Sequence, residues 1–143
     1  MKTLTTRTMI AVAALAAAAA SASAQTYKAD IPMNFKVSGK AMGAGSYVVQ
    51  VVKGDTSYPV LLVRNVATGN SALLASMPGS DAPKEWVAQA HPVISFECLN
   101  GNCVVRKFWN STAPYTYQFP GLKVRPADAE RIAYVAIPLS KAD

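Results

Sequence analysis

Over much of the chain, apolar and polar side chains alternate with a period of two. Ile31, Met33, Phe35 and Val37 fall on one face and Pro32, Asn34 and Lys36 on the other. That pattern predicts a half-buried strand with Pro32 at its start or on a sheet edge. Residues 38–45 form a glycine-rich connection. Residues 47–53 (YVVQVVK) and 58–64 (YPVLLVR) predict two strands joined by a turn at Gly54-Asp55-Thr56-Ser57. Nearly every position in these two runs is apolar, as in strands covered on both faces.

Thr68-Gly69-Asn70 is the next turn signal, followed by a short strand over 71–76. Residues 77–84 (MPGSDAPK) have loop composition. Residues 85–90 (EWVAQA) fit either a strand or a helix and are read as a strand. Residues 93–98 and 103–109 make the clearest hairpin, 110–114 a loop, and 115–124 at most one short strand broken at Pro120-Gly121. The period then changes. Ala129, Ile132, Ala133, Ala136 and Ile137 follow helical spacing, Pro126 sits at a first-turn position, and Asp128 and Glu130 lie near the positive helix end. An amphipathic helix over 126–137, stopped by Pro138, is the expectation.

Together these elements predict a mainly-β, single-domain fold over 25–143. It is a β-sandwich or partly open β-barrel of about six to eight short antiparallel strands with one short C-terminal helix. A transmembrane barrel does not fit, because lysines and arginines interrupt the strands and no aromatic girdle is patterned.

The first 24 residues stand apart. Lys2 and Arg7 precede an uncharged run over 10–20 (IAVAALAAAAA), and Ser21-Ala22-Ser23-Ala24 places small residues before Gln25. This is the pattern of a cleavable secretory signal, too short to span a membrane. The expectation is an exported protein, periplasmic or secreted, with no membrane span in the mature chain. Losing Lys2 and Arg7 lowers the formal charge of +6 by two, and the remaining cations are scattered. The only adjacent basic pair is Arg106-Lys107, so nucleic acid is not an expected partner.

The two cysteines lie in Cys98-Leu99-Asn100-Gly101-Asn102-Cys103. Asn-Gly is the strongest two-residue hairpin signal, since both turn residues must tolerate positive φ. With Asn100-Gly101 as the loop, Cys98 faces Cys103, Glu97 faces Val104 and Phe96 faces Val105. The cysteines then form a non-hydrogen-bonded pair about 4.5 Å apart at Cα, within disulfide range. The spacing is not Cys-x-x-Cys, and no histidines accompany the pair to close a zinc site. A structural disulfide is the reading.

Catalytic chemistry is thinly provided for. His91 is the only histidine, and no Gly-x-Ser-x-Gly elbow is present. The eight carboxylates fall mostly in turns, the expected helix start and the tail. No calcium loop, His-x-x-x-His pair or Walker-type loop appears, so neither cofactor nor metal is expected and the protein is read as no enzyme. A small hydrolase would need a cleft holding His91 or two carboxylates. Aromatics are the better lead: Trp109, Tyr115 and Tyr117 border the polar loop that Asn110 opens. Aromatic plates beside amides and hydroxyls suit a sugar or peptide site, whereas a buried Trp109 with rim tyrosines is the plain structural alternative. Asn110-Ser111-Thr112 also matches the N-glycosylation sequon.

Ala44-Gly45-Ser46-Tyr47-Val48-Val49, Leu61-Leu62-Val63-Arg64-Asn65 before Thr68-Gly69, Ile94-Ser95-Phe96 leading to Phe108-Trp109, and Ala129-Glu130 form a series of short motifs. In these the chain resembles an uncharacterised group of small exported bacterial β-rich proteins. That resemblance implies an all-β exported module and transfers no activity or site. The functional expectation is an exported, non-catalytic binding module for a glycan, a peptide or an envelope partner. The alternative is a structural or assembly protein of the cell envelope, in which exposed strand edges or the C-terminal helix pair with other subunits.

Overall fold

The computed structural model describes residues 26–52 and 60–142. The leader, its cleavage point and the turn expected at 54–57 lie outside the described residues.

The chain opens with β1 (Thr26–Ile31), β2 (Phe35–Val37), β3 (Lys40–Met42) and β4 (Gly45–Val52). The alternation read as one strand over 31–37 is split between β1 and β2, yet Ile31, Phe35 and Val37 all remain buried. Then come β5 (Val60–Asn65), β6 (Ser71–Ala75), β7 (Met77–Asp81) and α1 (Lys84–Gln89), followed by the hairpin β8 (Val93–Leu99) and β9 (Asn102–Trp109). β10 (Tyr115–Gln118), a 3-10 helix (Pro126–Arg131), β11 (Ala133–Pro138) and β12 (Ser140–Lys141) complete the described chain.

Two sheets stack face to face. The first has the order β12-β1-β4-β5-β6, the second β11-β8-β9-β10-β7. β2 joins the second sheet by a parallel bridge to β9, and β3 pairs with β2. Every other pairing is antiparallel. Only Ser76 separates β6 from β7, and only Leu139 separates β11 from β12. Both pivots are buried. At each margin, therefore, one continuous stretch of chain leaves one sheet and enters the other. The result is a sandwich drawn toward a flattened barrel.

Edge-to-face aromatic contacts tie the two layers. Tyr27 of β1 meets Phe108 of β9 at 5.5 Å between ring centroids, and Phe35 of β2 meets Tyr47 of β4 at 5.2 Å. Such pairs add about 0.5–1.5 kcal/mol each beyond the area they bury. The Tyr47 hydroxyl also donates to the Gly43 carbonyl four residues upstream, fixing how the chain enters β4. The Ala44-Gly45-Ser46-Tyr47 motif is thus a tyrosine corner, here on a strand other than the one where sandwiches of the immunoglobulin type place it.

Several local expectations are corrected. The helix expected over 126–137 is a 3-10 helix that ends at Arg131 and gives way to β11, which pairs with β8 along its whole length. Alanine and isoleucine at helical spacing also satisfy a period of two, and the unpaired margin of β8 decides the outcome. Residues 85–90, expected as strand, instead fall in and at the end of the helix α1 (Lys84–Gln89), and 77–81, part of the loop expected over 77–84, form β7. Twelve strands are present among the described residues, more than the expected six to eight, the excess being short pieces such as β3 and β12.

Candidate functional site

The β8–β9 hairpin has the register its turn dictates. Asn100 and Gly101 have φ of 51° and 81°, and Cys98 pairs with Cys103, Glu97 with Val104 and Phe96 with Val105. The Cys98–Cys103 disulfide is formed, with Cα atoms 4.1 Å apart. Beyond Phe96 the register shifts, because Ser95 pairs with Lys107 and leaves Arg106 as the extra residue of a bulge.

Arg106 and Glu97 then meet across the outer surface of the second sheet. Arg106 Nε lies 3.0 Å from Glu97 Oε1, and a second guanidinium nitrogen donates to the Phe119 carbonyl. The Leu122 N–H donates to Glu97 Oε2 at 3.1 Å. A side chain at Gly121 would come within 2.6 Å of the same carboxylate oxygen, so the crossing segment passes as close as a backbone can. Glu97 is a clamp for the chain after β10. Sequence reasoning passed over it as one carboxylate among eight, although the hairpin register places Arg106 diagonally across from it.

The aromatic end does not assemble as an open platform. Trp109 is only 3% exposed, and its indole N–H donates to the Ala113 carbonyl at 2.8 Å. The Asn110 amide oxygen accepts from the Thr112 and Ala113 N–H groups, closing the loop 110–113 on itself. Tyr117 stacks on the buried Phe108 at 5.9 Å, and Tyr115 stands perpendicular to Tyr117 at 5.7 Å. Of the four residues singled out, Tyr115 alone offers a broadly exposed ring. Burial raises the Tyr117 hydroxyl above its ordinary value, with the neighbouring Tyr115 adding to the effect.

His91 is half-buried, and its Nδ1 is a buried atom with no hydrogen-bond partner. Shallow grooves mark the surface of the described residues. One, of about 270 Å³, runs between the β2–β3 hairpin and the Asn100-Gly101 turn and is lined by no carboxylate. Another, of about 420 Å³, opens where the chain between β11 and β12 peels away from β1, and its only carboxylate is Asp30. Among the described residues, no group of three or more His, Cys, Asp or Glu side chains could hold a metal ion.

A larger feature lies on the outer face of the first sheet. Tyr47, Val49, Val51, Leu61 and Val63 point into the core, so the intervening residues of β4 and β5 point outward. The apolar ones among them are Val48, Val52, Val60 and Leu62, beside the polar Ser46, Gln50 and Arg64, and pairing sets Leu62 between Gln50 and Leu73 of β6 and Val60 between Val52 and Ala75. The expectation that both faces of these strands are covered is corrected here. Val52 is 39% and Leu73 58% exposed. Lys28 and Arg64 flank Val48 on the adjoining row, both exposed. The apolar run along each strand was visible in the sequence; which face would stay open was not.

No family model, curated protein or solved structure matches this chain. The disulfide, and the absence of any helix among the described residues long and apolar enough to cross a membrane, are compatible with an exported soluble protein.

Proposed function

We propose that this chain is an exported, non-catalytic binding module that holds a partner protein against the outer face of its first sheet. The observation that carries this reading is the apolar cluster of Val52, Val60, Leu62, Leu73 and Ala75 on adjacent strands, with Leu73 more than half exposed. Scattered surface leucines need no explanation, but a contiguous group on three paired strands is how interaction surfaces are built. Lys28 and Arg64 at its rim favour a partner with acidic groups bordering an apolar centre. The leader pattern of residues 1–24 supports export, which is also where a disulfide persists. A small-ligand site at the Tyr115 end draws less support, since Trp109 turns inward and Asn110 is committed to its own loop.

A photoreactive phenylalanine analogue placed at Leu73, and separately at Tyr115, in the producing cell tests the reading. The expected result is a discrete protein adduct from position 73 that Val52→Lys abolishes. An adduct from position 115 alone would refute it.

A further inference from the structure

Strands at a sheet margin present unpaired backbone groups, and proteins blunt them to prevent pairing between molecules. Among the described residues, four of the five marginal strands carry such a device. On β6, the carbonyls of Leu73 and Ser71 are taken by the Ser38 hydroxyl at 3.2 Å and the Lys40 ammonium at 2.8 Å. β7 contains Pro78 and Gly79 and is bulged against β10. β3 and β12 are three and two residues long and carry Lys40 and Lys141. β11 differs: its six residues, Ala133 to Pro138, include no charge, its one proline stands at the last position and leaves the amides of 133–137 in place, and Tyr134 is 72% exposed.

The direction of its backbone groups follows from one hydrogen bond. The Leu139 N–H donates to the Pro92 carbonyl on the β8 side, so Ala133, Val135 and Ile137 also face β8. The amides of Tyr134 and Ala136 face the free margin, together with their carbonyls.

We propose that this margin pairs with the same margin of a second copy of the chain, antiparallel, around a two-fold axis at Val135. In that register Tyr134 lies opposite Ala136 of the second copy, and the reverse, giving four N–H to carbonyl hydrogen bonds. A large exposed ring then meets a small exposed side chain on the same face. The next pair outward is Pro138 with Ile132. Proline has no N–H, and the Ile132 N–H already bonds the Ala129 carbonyl, so no donor is stranded. The strand is thus complementary to itself in bulk, charge and donor supply, which selects a second copy over a foreign peptide. Four hydrogen bonds and two tyrosine contacts make a small interface, so the association is reversible, with a dissociation constant on the order of 100 μM.

Sedimentation velocity from tens of micromolar to about 1 mM reads the equilibrium directly. The mean mass is expected to climb toward twice that of the monomer. Ala136→Pro removes an amide that serves only the free margin, and Tyr134→Lys removes the ring; each should abolish the climb, while Leu73→Lys should not. Hydrogen exchange on the unaltered protein gives a reading independent of any variant's folding, since the Tyr134 and Ala136 amides should gain protection as concentration rises. A constant monomer mass up to the highest concentration overturns the proposal. So does a dimer that survives both β11 variants, one lost only with Leu73→Lys, or exchange at Tyr134 and Ala136 that ignores concentration.

Discussion

At the scale of single residues, the side chains that matter most hold backbone in place. Glu97 accepts from Arg106 and from the Leu122 N–H while only 8% exposed, so truncating Arg106 would leave a buried carboxylate without its cation. Breaking such a pair costs about 3–5 kcal/mol when both partners are buried. The Arg106 side chain retains 27% exposure, which places Arg106→Ala at roughly 2–3 kcal/mol. Glu97→Gln combined with Arg106→Met should recover most of that loss, because no charge is then left unpaired. Urea unfolding midpoints at constant slope would check both, and an additive double variant would contradict the clamp. Gly79 poses a sharper steric case: a Cβ there would lie 1.8 Å from the Thr116 carbonyl oxygen. Gly79→Ala should therefore push β7 away from β10, seen as lost amide protection along β7.

At the scale of elements, the β8–β9 hairpin is specified twice, by its turn and by its disulfide. Closing so short a loop is worth roughly 2 kcal/mol on a chain-entropy estimate, and less where the turn already favours closure. Replacing Cys98 and Cys103 with alanine should thus lower stability by less than about 2 kcal/mol and keep the register. Adding Gly101→Val, at a position with φ of 81°, should then cost more than the two changes made separately. Chemical denaturation of the single and combined variants measures the coupling. This redundancy is also why the hairpin was legible: a two-residue loop fixes every pairing up to the bulge. Residues 126–137 had no such anchor. Ala129, Ile132 and Ala133 fit a helix as well as a strand, and the free margin of β8, a tertiary feature, made the choice. The Tyr115 end failed for a related reason. Whether Trp109 faces out depends on the Ala113 carbonyl folding back onto its indole, and composition does not encode that contact.

At the scale of the whole molecule, the sandwich is closed by strands that switch sheets and by aromatic rings that span them. Tyr27 and Tyr117 both sit at this seam, against Phe108, on opposite layers. Burial raises the Tyr27 hydroxyl above its ordinary 10.0, and burial together with the neighbouring Tyr115 raises that of Tyr117. A raised folded-state value means that the unfolded chain releases its proton first as the solution becomes alkaline. The contribution of these two groups is therefore complete below pH 10 and is lost as pH rises from there through their folded-state values. Tyr27 reaches Phe108 across the layers and Tyr117 stacks on the same ring from within the second sheet, so ionising either in place would put a charge beside the seam, and separating the sheets is the alternative. Thermal unfolding should consequently show a steep fall in midpoint above about pH 10. Tyr117→Phe should shallow that fall, and Tyr27→Phe combined with Tyr117→Phe should shallow it further. An alkaline limb of unchanged slope in the double variant would mean that the closure of the sandwich does not depend on keeping these hydroxyls neutral.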